Sequence, residues 1–209
     1  MDTPQGYLLV VEDIPDILRL LDATLKFKGY RVVTASNGQE ALEAIQRERP
    51  AIIITDILMP KMDGFSLVHR LRINPETRDI PVIFLTATYV APEDKAFALT
   101  IGVSRFIEKP VNFEQFLPAI AEILAKGAPT PPETLNEQEF YDGYRKRLDK
   151  KLNQKITQIT RSEHLLRTLS EEEKPSIKAS LHQAVSERAE IQHLLDQIDE
   201  HLEKITKRE

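Results

Sequence analysis

The sequence predicts an α/β chain: a doubly wound, five-stranded parallel sheet followed by a C-terminal α-helical antiparallel hairpin or coiled coil. Three observations carry this. Over residues 7–124 short apolar runs alternate with amphipathic stretches of helical period. A proline-rich interval then interrupts the pattern. Beyond it, apolar residues recur at the spacing of a helical seam.

The apolar runs cover 7–11, 31–34, 51–55, 82–85 and 104–107. Ile52, Ile53 and Ile54, like Val82, Ile83, Phe84 and Leu85, are unbroken blocks of β-favouring residues, as expected of strands covered on both faces. Helical patterns lie between them, near 15–28, 38–48, 64–73, 93–101 and 113–125. Alternation of this kind predicts right-handed crossovers and helices on both faces of the sheet.

Residues 127–136 hold three prolines and little apolar content, and read as a semi-rigid linker between a domain at 1–126 and a helical module at 137–209. In the module, Ile177, Leu181, Ala184, Arg188, Ile191, Leu195, Ile198, Leu202 and Ile205 keep an unbroken alternation of four- and three-residue steps. Tyr141, Tyr144, Leu148, Leu152, Ile156, Ile159, Leu166 and Leu169 form a less regular stripe before it. Pro175 and the acidic run preceding it separate the two, since the residue before a proline resists the helical conformation. The expected object is a hairpin with arms of roughly 30 residues, whose apolar stripe a second copy would cover to make a four-helix bundle. Arg188 on that seam either sets register or reaches to the edge.

Composition narrows the function classes. The chain has 209 residues, 41% hydrophobic and 29% charged, with no cysteine. A disulfide framework and thiolate chemistry are therefore excluded, consistent with a reducing, cytoplasmic setting. The MDTPQG start lacks the basic and apolar regions of a secretory leader, and no apolar run approaches a membrane span. Residues 1–126 carry 14 basic and 17 acidic side chains, and 127–209 carry 14 and 16. Neither part has the basic excess of a nucleic-acid-binding domain.

In a parallel sheet, ligands bind beyond the carboxyl ends of the strands. Those ends here supply Glu12 and Asp13, then Asp56, then Thr86, then Lys109. Three carboxylates in one place repel one another and call for a divalent cation; oxygen ligands suit Mg2+. A hard metal beside a free carboxylate and a lysine makes a phosphoryl-transfer site. Asp56, on the central strand, is the expected nucleophile. Asp13 would bind metal directly and Glu12 directly or through water. Lys109 would pair with the phosphoryl group, and Thr86 would donate a hydrogen bond to it. Taken alone, Asp56 reads as a turn or cap residue; Asp13 and Lys109 make the difference.

These residues resemble the receiver domains of two-component response regulators. The resemblance rests on Glu12-Asp13, the block from Asp56 to Gly64 (DILMPKMDG), the Leu85-Thr86-Ala87 segment and Lys109-Pro110. It implies a flavodoxin-like fold and a metal site completed by the backbone carbonyl of Leu58. It implies a switch in which Phe106 follows Thr86, although Phe106 reads equally well as core. It also implies a cis bond before Pro110, a signalling face on the fourth helix, fifth strand and fifth helix, and a sensor histidine kinase or phosphotransfer protein as partner. The segment Gly102-Val-Ser-Arg105 departs from the acidic residues often found before the aromatic.

The tail holds rival readings. Its basic residues Arg145, Lys146, Arg147, Lys150, Lys151 and Lys155 fall all around a helix and read as a solvated surface, not a nucleic-acid site. His193, Gln197 and His201 lie off the seam and read as an exposed polar face. The segment Ser162-Glu-His-Leu-Leu-Arg-Thr168 faintly resembles the phospho-accepting box of histidine kinases with its histidine and glutamate reversed, leaving His164, or His182, as an alternative phosphotransfer residue. The expectation is a response regulator, active only in phosphorylating and dephosphorylating its own Asp56. Its receiver would control a homodimerising or partner-binding hairpin, with a constitutive coiled-coil scaffold as the alternative.

Overall fold

The computed structural model describes residues 6–87, 92–126, 135–169 and 174–207. The chain divides into two compact units, Met1–Thr134 and Leu135–Glu209. Most of the linker at 127–136, and most of the acidic run before Pro175, fall outside the described residues.

In the first unit the strands are β1 (Leu8–Val11), β2 (Val32–Ala35), β3 (Ile52–Asp56), β4 (Val82–Ala87) and β5 (Arg105–Lys109). The helices between and after them are α1 (Pro15–Phe27), α2 (Gly38–Arg47), α3 (Gly64–Ile73), α4 (Pro92–Thr100) and α5 (Phe113–Lys126). The strands form one parallel sheet in the order β2-β1-β3-β4-β5, with β3 at the centre between β1 and β4. This is the doubly wound arrangement the apolar periodicity predicts.

The register aligns the carboxyl ends of the strands. Val11 pairs with Thr55, Asp56 with Leu85, and Ala87 with Lys109. Glu12 and Asp13, following Val11, therefore emerge beside Asp56. Alternate residues face opposite sides. Leu8, Val10, Ile52, Ile54, Ile83 and Leu85 pack against Leu21 and Leu25 of α1 and Phe116, Ile120 and Ile123 of α5. Full burial of each such side chain contributes about 1.5–3 kcal/mol. Aromatic contacts link other elements: Phe84 of β4 meets Phe65 of α3 with ring centroids 5.2 Å apart, and Phe65 meets Phe97 of α4 at 5.6 Å.

Short polar residues start α2 and α3. Asn37 Oδ1 accepts hydrogen bonds from the backbone N–H groups of Gln39 and Glu40, and Asp63 Oδ1 accepts from Ser66. Asp63 is thus a cap at the start of α3.

The second unit is two long helices, α6 (Glu137–Thr168) and α7 (Lys174–Thr206). Asn136 and Glu139 form a reciprocal capping box at the start of α6. Bridges from Arg145 to Asp199 and His201 to Glu137 join early α6 to late α7, and one from Lys155 to Glu187 joins their middles, so the arms run antiparallel. Phe140, Tyr141, Tyr144 and Leu148 are buried, as are Ala184, Ile191, Leu194, Leu195 and Ile198.

Several readings of the tail need correction. Ile156, assigned to the stripe, is 45% exposed, because the buried face of α6 drifts and Ile159 and Ser162 occupy it. Arg188 is exposed, which agrees with the alternative that it reaches to the edge. His201 does not belong to an open polar face: its ring packs on Tyr141, centroids 4.3 Å apart, and its Nε2 meets the Glu137 carboxylate. His193 and Gln197 do lie on an exposed surface, where they bond to each other.

Candidate phosphoryl-acceptor site

The site is built at the carboxyl edge of the sheet by β1, β3, β4 and β5. Lys109, the last residue of β5, reaches back over the edge. Its Nζ lies 2.6 Å from Glu12 Oε2 and 2.6 Å from Asp56 Oδ2. Glu12 is fully buried, and its other oxygen accepts a bond from the Ile14 backbone N–H. The Asp56 side chain is 12% exposed, open at the edge yet held from both sides, since its Oδ1 accepts the Ile57 N–H at 2.6 Å. Asp13 is half-buried beside them. One oxygen from each of Glu12, Asp13 and Asp56 lies within 4.8 Å of the others.

Charge does not balance here. Three carboxylates face one ammonium, in surroundings partly withdrawn from water. Burial pushes Glu12 and Asp13 above the usual carboxylate range, and the Asp56 charge adds to the effect on both. Burial alone would lower the Lys109 ammonium, but Asp56 and Glu12 outweigh it and hold the lysine above its ordinary value. A group of oxygen donors with surplus negative charge and a partly open face fits a hard divalent cation.

The structure brings Glu12, Asp13, Asp56 and Lys109 together, as the sequence predicts. Thr86 is the penultimate residue of β4 and is buried. Phe106 is half-buried on β5 with its ring edge-on to Phe84, centroids 5.7 Å apart. Leu58 lies two residues beyond Asp56 in the β3–α3 loop. The Lys109–Pro110 bond is cis.

Two contributors escape the sequence reading. The Ile57 N–H that orients Asp56 is a backbone group and leaves no residue signature. Gly64 has no side chain because there is no room for one: a Cβ there would lie 2.4 Å from the Asp56 carbonyl oxygen. Its N–H closes the loop onto the Ile57 carbonyl at 2.8 Å. Gly64 ends the DILMPKMDG block, and its spacing from Asp56 is its one sign in the sequence.

The family model described as "Response regulator receiver domain" matches residues 8–121. The chain belongs to the response regulator receiver family. It is similar to "Probable transcriptional regulator ycf27" of Pyropia yezoensis, 35% identical over 126 residues, covering 60% of this chain and 50% of the relative. It is similar to "Response regulator PleD" of Caulobacter vibrioides, 42% identical over 105 residues, covering 50% and 23%. The chain thus spans about half the length of the first of these relatives. Among solved structures, the signal receiver domain of a signal transduction histidine kinase from Syntrophus aciditrophicus superposes with a TM-score of 0.54 at 35% identity, over 63% of this chain and 98% of that one. The chemotaxis response regulator CheY4 of Vibrio cholerae gives 0.53 at 33%, over 56% and 98%. Both likenesses concern the first unit. Among the described residues, no helix is long and apolar enough to cross a membrane.

Proposed function

We propose that this chain is a response regulator that accepts a phosphoryl group on Asp56 and passes the change to its helical module. The observation that carries the reading is the Asp56 carboxylate, reachable from solvent, bonded to Lys109 and grouped with Glu12 and Asp13.

Asp13 and Asp56, with Glu12 and the Leu58 carbonyl, would hold Mg2+. When bound, the cation neutralises charge on the phosphoryl oxygens and relieves the repulsion among the carboxylates. An Asp56 carboxylate oxygen attacks phosphorus; the new O–P bond forms as the donor's bond breaks, and the leaving group takes that electron pair. Lys109, already at Asp56, stabilises charge on the transferred group. Thr86 donates its hydroxyl hydrogen bond to the same group, and Phe106 moves with the β4 end. The population then shifts toward a form with a changed surface over α4, β5 and α5. The donor would be a sensor histidine kinase or a phosphotransfer protein. Transfer to Asp56 and hydrolysis from it are the only chemistry assigned.

For the module we infer a homodimer, or docking to a helical partner, rather than DNA binding. Support comes from apolar side chains the helix pair leaves uncovered: Ile156, Leu165 and Val185, at 45%, 42% and 39% exposure. His164 and His182 are exposed on α6 and α7, so phosphotransfer through the tail stays an outcome of the test.

Incubating the intact protein with phosphoramidate tests the reading. One phosphoryl group should appear in the intact mass with Mg2+ and vanish with a chelator or in Asp56→Asn. Phosphorylation persisting in Asp56→Asn would overturn the assignment, and phosphohistidine on the 137–209 peptides would move it to the tail. Sizing the protein with and without beryllofluoride and Mg2+ tests the output. A dimer indifferent to beryllofluoride marks a scaffold instead.

A further inference from the structure

The loop from Ile57 to Asp63 lies between the acceptor and α3, and it carries the Leu58 carbonyl. Its near end is tied to Asp56 and closed by Gly64. Its far side rests on a different element. The Gly38 N–H, at the first turn of α2, donates to the Met62 carbonyl at 3.0 Å. Met62 itself is 8% exposed, and its N–H bonds to the Pro60 carbonyl at 2.7 Å.

A Cβ on Gly38 would lie 2.7 Å from Met62 Cγ, 3.0 Å from its Sδ and 2.8 Å from its carbonyl oxygen. The first two atoms belong to a flexible side chain and can turn aside. The third is backbone, so relief requires the loop or the helix to move. Glycine is used here for close approach, since Gly38 does not have the positive φ seen at Gly6, Gly29 and Gly102. The α2 end of this contact is braced. Asn37 is 2% exposed and caps the helix, and the Glu40 carboxylate returns to the Ser36 N–H at 2.9 Å and hydroxyl at 2.7 Å.

We propose that Gly38 is a positioning residue for the metal site: α2 is the anvil against which the β3–α3 loop is set, and a side chain at Gly38 displaces the loop's oxygen donor without touching any ligand. The inference rests on the Mg2+ reading above. It deepens that reading by adding an element, α2, that contributes no side chain to the acidic cluster.

The test is calorimetric titration of the full chain with Mg2+ alone, alongside thermal unfolding without metal. Gly38→Ala should bind Mg2+ roughly 10-fold more weakly, the low end of what loss of an outer-shell contact costs. Its folded state should keep the wild-type far-UV circular dichroism. A purely structural glycine would lower the unfolding temperature and leave the affinity of the folded protein unchanged; that result overturns the proposal. Should Gly38→Ala not fold, Asn37→Ala loosens the same helix start, and a weaker loss of affinity in the same direction is expected. Unchanged affinity in that variant also overturns it. If wild-type protein itself fails to bind Mg2+, the metal-site reading falls and takes this inference with it. If wild type binds and the variants match it, only the role of Gly38 falls.

Discussion

Lys109 Nζ stands 2.6 Å from Asp56 Oδ2 and the same distance from Glu12 Oε2. The lysine thus bridges the carboxylate that ends β3 and one just beyond β1. Its burial is tolerable because both partners are charged; neither carboxylate would be as secure without it.

Lys109→Ala should therefore do more than remove a contact. It leaves fully buried Glu12 facing Asp56 with no cation between them. Phosphorylation from a small donor at saturating Mg2+ should slow about 10²-fold, as for loss of a preorganised electrostatic group. A time course of intact mass measures this, and an unchanged rate would reduce Lys109 to a structural ion pair.

Asp13→Asn gives the pH dependence its sign. Burial, then the Asp56 charge, raises Asp13 above its ordinary 3.8 in the fold. Between those two values the folded chain holds a proton that the unfolded chain has lost. Metal-free stability therefore declines as pH rises from the unfolded value through the folded one, and the cost is complete above the folded value. Asn removes that cost. Without Mg2+, the variant should melt a few degrees higher than wild type near pH 7, at about 2–4 °C per kcal/mol. The gap should close only as pH falls below the unfolded value of 3.8, where Asp13 is protonated in both states. Saturating Mg2+ should reverse the order, because only wild type gains the full binding energy. Thermal melts at several pH values check all three points, and a gap independent of pH would contradict the account.

Gly64→Ala should destabilise the first unit by about 1–3 kcal/mol, the usual cost of overpacking. The added Cβ would press on the Asp56 carbonyl, so the acceptor itself must shift. Urea unfolding measures the loss, and phosphorylation should slow in parallel. An unchanged midpoint would show that the loop yields freely.

In the second unit, the aromatic end and the apolar surface should respond differently. Phe140 is fully buried, with ring centroids 4.9 Å from Tyr141 and 5.8 Å from Tyr144. Phe140→Ala should cost about 3–5 kcal/mol and melt the helix pair. Ile156→Ala should change fold stability by less than about 0.5 kcal/mol yet shift a dimer toward monomer. Circular dichroism and sedimentation separate the two effects. Self-association unaffected by Ile156→Ala would remove that residue from the interface.

Much of this was legible because the decisive signals are local and side-chain borne. The strand blocks at Ile52–Asp56 and Val82–Ala87 declare themselves, and parallel pairing leaves little choice about which strand ends meet. Asp56 and Lys109 lie far apart in the chain, yet both end strands, so the register brings them together. What stayed hidden is carried by backbone or by absence. The Ile57 N–H has no residue identity, and the meaning of Gly38 and Gly64 appears only when the neighbouring loop is in place. The tail misled for another reason. A two-helix pair turns its buried face along its length, so fixed spacing places Ile156 inside, while Phe140, outside the counted stripe, is buried.

The sharpest test of the account is borohydride trapping. After exposure to phosphoramidate and Mg2+, borohydride reduces an aspartyl phosphate to homoserine, and peptide sequencing then reads the position. Homoserine at residue 56, absent when the donor or Mg2+ is withheld, is the predicted result. Unaltered aspartate at 56 in protein that has gained a phosphoryl group would contradict it.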